Sequence, residues 1–169
     1  MAGSNDSEPW LRGPIEGVHP LVMPVFFSFE QVREDLARHT RNLSDEALWK
    51  HADPAKQGGT IGFHLKHLAG SVDRLTTYLL GNQLSREQLQ TLAEESRPEG
   101  SLAELLELVN RALSSSEERL RSLDPATIFD ARSVGRRALP TTVIGLLVHL
   151  CEHTQRHLGQ AITLAKLLQ

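Results

Sequence analysis

Val22, Val25, Phe26, Phe29, Val32 and Leu36 recur at three- and four-residue steps near the start of this 169-residue chain. That spacing follows the turn of an α-helix and puts the apolar residues on one stripe. The same rhythm returns in Leu102, Leu105, Leu106, Val109, Ala112 and Leu113. Composition agrees, with 28 Leu against 14 Val plus Ile and 8 aromatic residues. Leu favours helices, whereas β-branched and aromatic residues favour strands. The length suits one domain with a core of its own.

Stop and start signals divide the chain. Residues 1–18 read as an N-terminal arm and 19–169 as the domain, with Trp10 and Leu11 expected to dock on its body. The first long helix is expected from Pro20 to Arg41, with Pro24 tolerated in its first turns. Ser44 is an N-cap for the segment DEALWKHA, in which Trp49 plugs the end of the core, and Ala52–Gly59 is a loop. Thr60 caps a second helix that runs to Leu80, with Gly81 just past its end. Ser85 with Gln88, and Ser101 with Glu104, form capping boxes for a minor helix at 86–95 and a third long helix to Leu123. Asp124-Pro125 ends the third helix. Residues 126–140 make an irregular crossing, with a small hairpin around Val134-Gly135. Pro140 and Thr141 or Thr142 open a last helix that runs to Leu168. The pattern specifies an all-α fold, a four-helix bundle with short extra helices and a long connection before the last helix.

Charge narrows the partners. The chain carries 21 acidic and 18 basic residues, a net charge of −3. No basic excess speaks for nucleic acid and no charge run for a membrane surface. No apolar stretch reaches the roughly 18–20 residues of a transmembrane helix. Met1–Pro14 has no apolar signal-peptide core, and Cys151 is the only cysteine, which excludes an intramolecular disulfide. A reducing cytoplasm is the expected setting.

Eight histidines are the unusual feature. His149, His153 and His157 are spaced four apart in VHLCEHTQRHLGQ. Each step turns the direction by about 40° and climbs about 6 Å, so His153 and His157 share a face and both imidazoles can reach one ion. His64 and His67 lie three apart in FHLKHLAGSVDR. If the two helices face each other, His67 or His64 completes a three-nitrogen site. Three histidines with an open position are what catalytic zinc uses, and nickel, iron or copper suit the same ligands. The competing reading is that these histidines are surface or hydrogen-bonded core residues, the reading that His19, His39 and His51 receive.

The segments HLAGS, with Arg74 beyond it, and EHTQRHLGQ resemble those of the DinB-like superfamily, the YfiT-like metal-dependent hydrolase fold. In that family one histidine on the second helix joins an HxxxH pair on the last, followed by Gly-Gln. The resemblance covers roughly residues 20–169. It implies His67, His153 and His157 as ligands of a divalent metal ion, zinc or nickel first. His64 and His149, one turn away, are pocket or ligand-supporting residues, with a surface role as the equal alternative. Gln160 shares the face of His153 and His157 and can bond a ligand histidine or a substrate, or else serve as a packing amide. Arg74 can hold an anionic group or form a surface salt bridge. Glu152 sits about 100° round from His153, too far to act as a base, and Asp73 points away from His67.

The resemblance implies an enzyme acting on a small molecule, thiol-bearing or anionic, by hydrolysis or by transfer of a low-molecular-weight thiol. It also implies pairing of two copies as a homodimer. The alternative is a non-catalytic metal-binding stress or interaction protein, and beyond that a metal-free bundle.

Overall fold

Capping chemistry sets the helix boundaries in the computed structural model, which describes residues 7–53, 55 and 59–168. Helix α1 spans Met23–His39, later than the expected start at Pro20. A helix begun at Pro20 would put Pro24 where a bonded N–H is needed. At the start of α1 Pro24 has no such N–H to lose. Residues 19–22 turn instead, the Val22 N–H bonding the His19 carbonyl. Ser44 Oγ accepts from the Ala47 N–H and opens a single turn, α2 (Asp45–Leu48). Thr60 does the same for α3 (Ile61–Leu79), and Gly81 takes the left-handed conformation just past its end, with φ of 80°. Both capping boxes form, opening α4 (Arg86–Glu94) and α5 (Leu102–Arg121). The long connection holds a turn at Pro125–Thr127 and an antiparallel hairpin of β1 (Ala131–Val134) and β2 (Leu139–Thr142), the pair read around Gly135. Helix α6 (Val143–Leu168) follows directly. Thr142 Oγ1 accepts the Gly145 N–H in its first turn.

The fold is all-α. The four long helices α1, α3, α5 and α6 form the bundle. Helix α3 packs most broadly, on both α6 and α5, and α1 lies along α6. Their stripes meet in one core that includes Phe29, Leu65, Leu68, Leu113, Leu147 and Leu150, all essentially inaccessible. Burying side chains of this size removes about 1.5–3 kcal/mol each of exposure cost. Polar side chains bridge the helices. Thr76 and Ser116 share a 2.7 Å bond between α3 and α5, and Gln155 of α6 donates to the Ser28 carbonyl of α1 at 2.9 Å.

The N-terminal segment is fastened differently from expectation. Trp10 and Leu11 do not dock; they are 61% and 57% exposed. The indole N–H is satisfied locally by Glu8, and the ring borders a cavity against α1 and α6 without being buried in it. Pro9, Val18 and Val22 are the buried residues here, and Arg12 forks onto both carboxylate oxygens of Glu34. Residues 1–6, and Pro54, Lys56, Gln57 and Gly58 of the expected 52–59 loop, lie outside the described residues.

Trp49 closes the end of the core near the start of α3. A Cβ on Gly62 would stand 2.5 Å from its ring. Gly62→Ala should therefore destabilise the protein by about 1–3 kcal/mol despite the better helix propensity of alanine. Urea unfolding followed at the tryptophans measures this, and a stabilised variant would show that the ring has room to move.

Candidate metal centre

Helices α3 and α6 bring the histidines together. Leu65, Leu68 and Val72 of α3 and Leu146, Leu150 and Leu158 of α6 are buried in the shared core. His64 and His67, and His153 and His157, sit beside those stripes and meet across the helix pair. One nitrogen from each of His67, His153 and His157 lies within 4.8 Å of the others. His67 Nε2 and His153 Nε2 are 3.0 Å apart, and the His157 ring centroid lies 4.4 and 4.6 Å from those of His67 and His153. His64 is 5% exposed and its Nδ1 stands 3.0 Å from Nδ1 of His157. That contact leaves Nε2 of His157 as its ring nitrogen without a histidine bond.

Burial lowers the pKa of His64, His153 and His157 to about 4, and neighbouring imidazoles add to the effect. These rings are therefore neutral at pH 7, the form that binds metal. His153 Nδ1 is buried with no hydrogen-bond partner. Two ring nitrogens at 3.0 Å also need a proton or a cation between their lone pairs. Close, neutral imidazole donors fit a divalent ion.

A carboxylate absent from the sequence reading completes the cluster. Glu95, just past α4, is 3% exposed. Its Oε2 accepts from His67 Nδ1 at 2.6 Å and its Oε1 accepts from Arg74 at 2.7 Å. Phe63 stacks on the His67 ring at 5.5 Å between centroids.

A family model of the DinB superfamily matches residues 28–161, well over half of the chain and including all of these side chains. The chain belongs to the DinB superfamily. No curated protein matches it.

The remaining residues of this DinB chain divide by position. Arg74 is buried and paired with Glu95, so its salt bridge lies inside the protein and not on the surface. His149 is exposed, bonded to Glu152 at 3.2 Å, and its ring lies 5.2 Å from that of His153. Glu152 stands closer to the histidines than its helical angle suggests. Its carboxylate groups with His149 and His153 within 4.8 Å, because the side chain swings along the helix surface. It also pairs with Arg156. Gln160 is exposed and lines a cleft of about 590 Å³ with His64, Gln155, Arg156 and Thr163. Asp73 turns away to Arg119 and Gln88. Burial raises the Cys151 thiol to about 11, so it carries no thiolate at neutral pH. A larger cavity, about 1020 Å³, runs between the N-terminal segment, α1 and α6 and reaches this side of the site at Glu152 and Gln155.

The lowered histidine values set a pH dependence. The unfolded chain takes up protons near pH 6.5 while folded His64, His153 and His157 stay neutral to about pH 4. Between those values the unfolded state binds more protons, so stability falls as pH drops. Urea unfolding of the metal-free protein should show that loss across pH 6.5 to 4. A His64→Gln variant should show a shallower slope, and an equal slope would mean that His64 is not held neutral.

Proposed function

We propose that this chain is a metal-dependent enzyme in which His67, His153 and His157 hold a divalent ion, zinc or nickel, and act on a small molecule by hydrolysis or by transfer of a low-molecular-weight thiol. The convergence of three histidine nitrogens within 4.8 Å across α3 and α6 carries this reading. Family membership supports it, since the ligand set is the one that the resemblance implies.

An ion bound there supplies Lewis acidity, which lowers the pKa of a water or thiol brought to it. The protein's own groups do the rest. His64 pairs with His157 and Glu95 with His67, so two of the three rings are held from behind. Among the described residues no fourth side chain joins the group of three. His64 is spent on the Nδ1 side of His157. An open position favours an enzyme over a purely structural ion. Arg156 and Gln160 border the adjacent cleft and give it donors for a thiol-bearing or anionic substrate. Cys151 takes no part as a nucleophile.

Calorimetric titration of zinc and nickel into tag-free protein tests the ligands. Wild type should bind one ion, and His67→Ala, His153→Ala and His157→Ala should each abolish stoichiometric binding. His64→Ala should weaken it by about 10–100-fold, as loss of a ligand-supporting partner does. His149→Ala, at an exposed ring, should change it less. A screen of thiol-transfer and hydrolysis reactions with the loaded protein tests catalysis, with His153→Ala as the control. Wild-type affinity in His157→Ala would overturn the ligand set.

A further inference from the structure

We propose that Glu95 is the positioning residue of this centre: clamped by Arg74, it locks the His67 ring with Nδ1 protonated and Nε2 turned toward His153 and His157. The inference rests on the metal reading above and extends it to residues outside the ligand set.

The bond pattern requires that tautomer. A carboxylate only accepts, and Oε2 of Glu95 stands 2.6 Å from His67 Nδ1, so the proton lies on Nδ1. With Nδ1 given to Glu95, Nε2 is the nitrogen left to face His153 Nε2, 3.0 Å away. The other carboxylate oxygen is filled by Arg74 at 2.7 Å. A carboxylate 3% exposed needs an opposite charge, and Arg74, 7% exposed, provides it.

The backbone is arranged to admit this carboxylate. A Cβ on Gly70 would stand 2.4 Å from Glu95 Oε1 and 2.6 Å from Arg74 Nη1. Gly70 lies between His67 and Arg74 on α3, so the absence of a side chain there opens the slot that Glu95 fills. Lys66, from the same helix, donates to the Glu94 and Arg97 carbonyls at 3.0 and 3.1 Å. It pins the segment that carries Glu95. An ordinary buried ion pair between Arg74 and Glu95 would require neither the His67 bond nor this anchoring. Together they aim a carboxylate at the back of one imidazole, which fixes ring orientation and raises donor strength.

The test uses the full-length chain with Glu95→Gln, Glu95→Ala, Gly70→Ala and the Gly70→Ala/Glu95→Ala double variant. Zinc affinity is measured by chelator competition and site geometry by the visible spectrum of the cobalt(II) form. Nitrogen-15 NMR of the histidine rings reports the His67 tautomer without metal. The wild type should show Nδ1–H at His67. Glu95→Gln and Glu95→Ala should mix the tautomers, alter the cobalt spectrum and weaken zinc by about 10–100-fold, without the complete loss expected of His153→Ala. Gly70→Ala should reproduce that signature with Glu95 still present, and the double variant should be no worse than Glu95→Ala. Glu95→Gln keeps the side-chain shape, so it remains informative if Glu95→Ala, which strands Arg74, does not fold. Wild-type affinity and an unchanged cobalt spectrum in Glu95→Gln would overturn the positioning role while leaving the metal reading intact. A His67 ring found as Nε2–H would overturn it whatever the metal result. A wild type that binds neither zinc nor nickel would bring down the metal reading, and with it the purpose assigned to Glu95.

Discussion

The packing of α3 against α6 places every imidazole of the cluster. The two helices are far apart in the chain, with His153 86 positions after His67, yet their side chains meet at 3.0 Å. No local preference can bring about such a meeting. Leu65, Leu68 and Val72 must bury against Leu146, Leu150 and Leu158 for the helices to lie together at all. The hydrophobic contact thus fixes the spacing at which imidazole nitrogens face each other. The ligand chemistry follows from core packing, and a cavity in that core would be felt at the cluster as well as in stability.

The elements that were legible in the sequence are those written in short-range chemistry. Ser44, Thr60, Ser85 and Ser101 each cap the helix that the reading assigns them. The His153 and His157 pair is visible because four residues return a helix to nearly the same face. Misreadings came where a side chain chooses among partners that spacing does not reveal. Trp10 finds Glu8 two residues away and stays exposed. Arg74 turns to a carboxylate 21 residues further along.

Glu95 is the instructive omission. It ends a minor helix with no buried residue of its own, so no stripe marks it. Its importance arises from a fit: a glycine on α3, an arginine one turn on, and a lysine holding the segment down. Gly70 inside HLAGS was the available signal, since a glycine within a helix costs about 1 kcal/mol relative to alanine and calls for a reason in packing. Naming the residue that fills the space still required the tertiary structure.

The cluster also sets a tension within the fold. Burial drives His64, His153 and His157 toward the neutral form, which removes the positive charge that would repel a metal ion. The same burial leaves His153 Nδ1 without a partner, an arrangement that costs about 1–3 kcal/mol in a protein interior. A bundle tolerates such a site because its four apolar stripes meet in one continuous core around Phe29, Leu113 and Leu147. Stability is supplied by the leucines and reactivity by the imidazoles, on neighbouring faces of the same two helices. This division lets the core carry a buried, unpartnered imidazole nitrogen without unfolding the protein that holds it.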